Sequence, residues 1–229
     1  MELLSLTERV RSVAAGDGRW KIPVAEPAST VVIARPADSG FEVLLMQRSS
    51  TMAFAPNMAV FPGGRVDPKD HEFADPFIAC AIREVHEEVG LELTSLIALD
   101  HWITPEVEPM RYDVHFYLSI VEEHVEGALV TTEAHNMLWL TPAQAHARSL
   151  DGSLPMLRPT QVALAELGIS KNIEQLTEFA LKRDIAPRLP RPALESSGEI
   201  RWDLVNGHTG ELMQTNVGRA KQETTGSHD

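Results

Sequence analysis

The chain has 229 residues, long enough to bury a substantial core as one elaborated domain or two small ones. Its formal net charge of -13 excludes the broad basic face that holds nucleic acid. Its one cysteine, Cys80, excludes an intrachain disulfide framework and a zinc-thiolate cluster.

The opening "MELLSLTERVRSV" sets Glu8, Arg9 and Arg11 where a secretory signal needs an apolar core. No apolar run approaches the ~20 residues of a membrane span. A reducing, cytoplasmic setting with no membrane is the expectation. Next come "STVVIARP", the turn cluster "PADSG" and "FEVLLMQRS", which predict a hairpin over residues 29–49. Further strands are predicted at "MAVF", over residues 93–99, and at "VHFYLSIVE" and "NMLWL".

A helix is predicted between the third and fourth of these strands. Asp75 is a good N-cap, Pro76 suits the first helical position, and Gly90 is a good stop. Ile78, Ile82, Val85 and Val89 recur at helical spacing and predict one apolar stripe against the sheet. Glu84, Glu87 and Glu88 fall on another face. At ~100° per residue they span roughly a 100° arc, so their carboxylates can converge on one small volume. Such convergence is unfavourable without a counter-charge, since like charges at i,i+4 repel and acids near a helix C-terminus oppose its dipole. Arg83 can offset part of this through Glu87. Two readings stand at this point: a solvated acidic face, or a seat for magnesium or manganese, hard cations that take oxygen ligands.

From Thr141 the pattern turns helical: "TPAQAHARSL", "TQVALAELG" and "NIEQLTEFALKRD", with Gly168 and Pro187 as stops. A proline-rich stretch, "APRLPRPALESSG", leads into a late strand, "EIRWDLV". The polar end is expected to be a flexible tail.

Gly63 and Gly64, after "MAVF", suggest a turn where backbone approaches a ligand closely. "GRVDPKD" from Gly64 to Asp70, followed by "REVHEEVGL" from Arg83 to Leu91, resembles the Nudix box. The second half matches at every specified position. In the first half the acid is Asp70 rather than Glu, and twelve residues separate it from Arg83 where the family pattern has seven. The inserted residues, including "HEFAD", lengthen the loop before the helix. "LLMQRSS", "WITPEVEPMRYDVHFYL" and "LRPTQVALAEL" resemble the branch that includes peroxisomal coenzyme A diphosphatases.

This resemblance implies an α/β fold: a Nudix-type α/β/α sandwich with a mixed sheet and appended C-terminal helices. The implied organisation is a single Nudix domain over 1–229: an N-terminal segment (1–27), a core (28–150), a helical extension with a late strand (151–206) and a flexible tail (207–229). It implies a metal-dependent diphosphatase, with Mg2+ or Mn2+ held by Glu84, Glu87, Glu88 and the Gly64 carbonyl, and with Arg83 orienting Glu87. Glu133, in a loop before a strand, is the candidate general base. Arg48 and Arg111, with their planar forks of donors, are candidates for phosphate or nucleotide contacts. The expected partner is a small-molecule nucleoside diphosphate derivative, with coenzyme A or acyl-coenzyme A leading; a homodimer is compatible. Alternatives are an ADP-ribose or nucleotide-sugar diphosphatase, or a non-catalytic nucleotide-sensing module.

Overall fold

The computed structural model describes residues 4–51 and 55–213, and these form two compact units. One comprises residues 28–99 and 115–184, the other residues 4–27, 100–114 and 185–213. Part of the tail expected over 207–229 lies outside the described residues, from 214 onward.

The larger unit is built on β1 (Glu26–Ala37) and β2 (Gly40–Arg48), an antiparallel hairpin in register from Ala34↔Val43 to Ala37↔Gly40. On β2 lie β3 (Ala59–Val60) and β7 (Ala134–Leu140), both antiparallel, and β4 (Gly63–Arg65) pairs with β1. Two further strands, β5 (Ile97–Ile103) and β6 (Tyr112–Ile120), run through the boundary between units. The strand expected over 93–99 thus starts four residues later than its apolar pattern suggested.

Helix α2 (Pro76–Val89) starts and stops as its caps dictate: the Asp75 carboxylate accepts from Phe77 and Ile78 N–H, and Gly90 adopts the left-handed conformation. Its apolar stripe is rotated from the expectation. Val85 and Val89 are fully buried with Ala81 against Val31, Ile33, Leu44 and Met46, whereas Ile78 and Ile82 each remain 37% exposed. The rotation has a physical consequence: it carries Glu88, one turn from Val85 and two from Ala81, into the buried face at 5% exposure.

Before α2, residues Pro68–Glu72 form a 3-10 turn closed by a reciprocal cap between Asp67 and Asp70. After β7 come α3 (Pro142–Leu150), α4 (Arg158–Leu167) and α5 (Ile173–Lys182), the expected helical extension. Helix α3 packs on α4 and on β7.

In the smaller unit, α1 (Leu6–Ala15) lies on β8 (Arg188–Leu194), which pairs antiparallel with β9 (Ile200–Asn206) and parallel with β5 at Trp102↔Arg188. The parallel pair makes the sheet arrangement mixed, flanked by helices, as expected. Residues after β9 turn back along it, with Leu212 opposite Val205. Among the described residues no helix is long and apolar enough to cross a membrane.

Candidate functional site

Strand β4, the 3-10 turn and the C-terminal half of α2 meet in the larger unit. Gly63 has φ +155, and a Cβ there would fall 2.3 Å from the Ser29 carbonyl oxygen. Gly64 is fixed by proximity alone: a Cβ would sit 2.3 Å from Oε1 of Glu84 and 2.4 Å from its carboxyl carbon. Glycine at 63 therefore lets β4 lie close on β1, and glycine at 64 lets it lie directly under the Glu84 carboxylate of α2. The Gly63 N–H donates to Oε2 of Glu88 at 2.9 Å, and the Cys80 thiol donates to the Gly64 carbonyl at 3.4 Å.

Arg83 organises the acids around it. Its Nε and Nη2 donate to the two Asp70 oxygens at 3.0 and 2.8 Å, and its Nη2 also reaches the Arg65 carbonyl at 2.9 Å. Its Nη1 donates to Glu84 at 2.7 Å and to Glu87 at 3.1 Å. The fork of the guanidinium thus serves three carboxylates and one carbonyl. Lys69, from the 3-10 turn, holds the second Glu87 oxygen at 3.2 Å.

The acids differ in protonation chemistry. Burial pushes the Glu88 carboxyl up to about 8; the Gly63 N–H and the Arg48 charge oppose this, and the charges of Glu84 and Glu133 add to it. Burial raises Glu84 too, against the hydrogen bond from Arg83, with the Glu87 and Glu133 charges adding. For Glu87 burial acts upward but is outweighed by Lys69 and Arg83, so it lies below its ordinary value. Asp70 is lowered, first by the hydrogen bonds from Arg83. Burial drives the Cys80 thiol up to about 12, so it is a neutral donor and not a nucleophile.

Glu84, Glu88 and Gly64, which the sequence singled out, thus come together, and Glu87 lies at the exposed rim. Glu133 and Arg48 join them from the paired ends of β7 and β2: the Ser49 N–H donates to the Glu133 carbonyl at 2.7 Å, and both side-chain charges act on Glu88. Arg111 lies in the smaller unit, with Nε on the Thr104 carbonyl and Nη1 on the Pro23 carbonyl at 3.0 and 2.8 Å. Sequence reasoning missed Lys69 and the Arg83 partnership of Asp70. The signal available was the position of both at the end of the first half of the box, in the turn before the helix.

The donors at hand are carboxylate and carbonyl oxygens, and two of the acids, Glu84 and Glu88, are raised by burial and by the charges of neighbouring glutamates. That set fits a hard divalent cation, which would relieve the repulsion.

The fold and site therefore define an α/β protein whose acid-bearing helix lies over a glycine turn. A family model of the NUDIX domain matches residues 25–158, and the chain belongs to the Nudix family. The Caenorhabditis elegans protein carrying the name nudix hydrolase 7 is 27% identical over 184 residues, covering 64% of this chain and 62% of that one. The human m7GpppN-mRNA hydrolase NUDT17 is 29% identical over 184 residues, covering 67% of this chain and 54% of that protein. This chain thus spans less than two thirds of either relative. The crystal structure of a NUDIX hydrolase from Alicyclobacillus acidocaldarius superposes with a TM-score of 0.63 at 23% identity, covering 71% of this chain and all of that one. That likeness speaks for the fold.

Proposed function

We propose that the chain is a divalent-cation-dependent hydrolase that cleaves the diphosphate linkage between a nucleoside and another moiety. The observation that carries this reading is the meeting of Glu84 and Glu88 on the Gly63–Gly64 backbone. Glu84, Glu87, Glu88 and the Gly64 carbonyl would hold the cation. Bound Mg2+ or Mn2+ supplies charge neutralisation of the diphosphate and a lowered pKa for the attacking water. Arg83 keeps Glu84 and Glu87 aimed, and Asp70 keeps Arg83 in place. Glu133 takes the proton of the attacking water, from a loop position next to the buried acids. Arg48 contacts phosphate. It is preferred over Arg111 because its charge acts at Glu88, whereas Nε and Nη1 of Arg111 serve main-chain carbonyls.

Coenzyme A or an acyl-coenzyme A leads the substrate list through the branch resemblance of "LLMQRSS" and "LRPTQVALAEL". The name of the human relative favours a second reading, a capped nucleotide. The net charge of -13 weighs against a long RNA as the natural ligand. The deciding experiment incubates the protein with coenzyme A, ADP-ribose, NADH, dinucleoside polyphosphates and a cap dinucleotide, with Mg2+ or Mn2+, and separates the products by chromatography. Metal-dependent release of two phosphate-bearing halves from one substrate is expected. No cleavage across the panel would overturn the proposal, and tight binding without hydrolysis would point to a sensing module.

A further inference from the structure

Both oxygens of Glu87 are taken by cationic donors: Arg83 Nη1 lies 3.1 Å from Oε2 and Lys69 Nζ lies 3.2 Å from Oε1. A divalent cation reaching this carboxylate must displace one of them, because two cations in contact with one oxygen repel strongly. Arg83 cannot yield readily, since it is also bound to both Asp70 oxygens, to Glu84 and to the Arg65 carbonyl. Lys69 can. Its side chain is half exposed, and its other acidic neighbour, Asp67, is at 4.0 Å. Its backbone, however, stays put: the next residue, Asp70, is buried under Arg83 and caps the turn through Asp67 N–H. An ammonium released from Glu87 therefore remains on a fixed turn at the edge of the acidic cluster, where an anionic ligand would meet it.

Resting on the proposed metal-dependent reading, we propose that Lys69 is an internal counter-ion of this site. It competes with the divalent cation for Glu87 and, once displaced, contacts the diphosphate of the substrate. Among the described contacts of the turn, Lys69 is the residue whose side chain reaches Glu87.

The test compares wild type with Lys69→Met and Lys69→Arg by titration with Mn2+, reading free ion by electron paramagnetic resonance, and then titrates ADP onto the Mn2+-loaded proteins. Lys69→Met is expected to bind Mn2+ about two- to fivefold more tightly at low ionic strength, the range of an exposed ion pair. At ~0.5 M salt the difference should vanish. The same variant should bind ADP more weakly by about threefold or more, while Lys69→Arg stays near wild type on both counts. In a Glu87→Gln background Lys69→Met should no longer change Mn2+ affinity. Unchanged or weaker Mn2+ binding in Lys69→Met, a difference that survives in the Glu87→Gln background, or unchanged ADP affinity would each overturn the proposal. Failure of the wild type to bind Mn2+ would overturn the metal-dependent reading together with it, and neither readout depends on turnover.

Discussion

Arg83 and Asp70 face each other through two parallel hydrogen bonds, at 3.0 and 2.8 Å, from the 3-10 turn that ends the first half of this box to the helix of the second. Asp70 is only 2% exposed, and its carboxyl is held low by the guanidinium. Removing one member of a buried pair leaves the other charge uncompensated, at a cost of about 3 to 5 kcal/mol. Asp70→Ala should lie near the lower end, because Arg83 keeps Glu84 and Glu87. Urea unfolding should show the loss as a lower midpoint with an unchanged slope. A change below about 0.5 kcal/mol would mean the pair is ornamental.

The sequence made the helix and its acids legible because caps, periodicity and box spacing all act locally. Asp75, Pro76 and Gly90 bound α2 within a residue of expectation. Ile78 and Ile82 misled, because spacing alone cannot tell which edge of an apolar arc meets the sheet; the small Ala81 and Cys80 are fully buried instead. Helix α1 carried a readable signal, the Ser5–Glu8 capping box ending at Gly16, inside a segment weighed only as a leader. Strand β8 was hidden by Pro190 and Pro192. Two apart, they aim their missing donors at one edge, and β5 meets β8 only at Arg188 in the described register, so no ladder bond is needed there. The partnership of Asp70 with Arg83 was illegible for a different reason: loop length fixes no direction.

Gly64→Ala tests the closeness of strand and helix. The new methyl would overlap the Glu84 carboxylate at 2.3 Å, and that side chain must swing away from the loop. Turnover should fall at least about tenfold, corresponding to roughly 1.4 kcal/mol of lost transition-state stabilisation. Pairing Gly64→Ala with Glu84→Ala should restore stability without restoring activity. Normal turnover in the single variant would remove Glu84 from the cation site.

Glu88 sets a pH dependence whose sign is fixed by its environment. Its folded value is about 8 against 4.5 for the ordinary group, so between these limits the folded state holds a proton that the unfolded state has released. Stability of the metal-free protein should therefore fall as pH rises across that window and level off above it. Asp70 acts in the opposite sense but only below its ordinary value of 3.8. Glu88→Gln keeps an oxygen for the Gly63 N–H and should flatten the slope, raising stability near pH 8. The same variant, like Glu87→Gln, should lose orders of magnitude in turnover. Denaturant titrations in the presence of a chelator, repeated along the window, would reveal a slope of the wrong sign at once.

Glu133→Gln separates proton transfer from cation binding. The main-chain carbonyl of Glu133 holds the Ser49 N–H, so the loop should keep its place when the side chain changes. Its charge raises both Glu84 and Glu88, which puts the carboxylate near the acids without a direct hydrogen bond to either among the described contacts. A general base in that position contributes about 10² to 10⁴ in rate. Glu133→Gln should therefore lower kcat by that factor while leaving KM nearly unchanged. Removing its negative charge should lower the carboxyls of Glu84 and Glu88 slightly and also withdraws some through-space attraction for the dication, so Mn2+ affinity near neutral pH should fall only modestly. If kcat survives and Mn2+ affinity drops by orders of magnitude instead, Glu133 is a ligand of the cation, and the proton must pass to one of the helix glutamates.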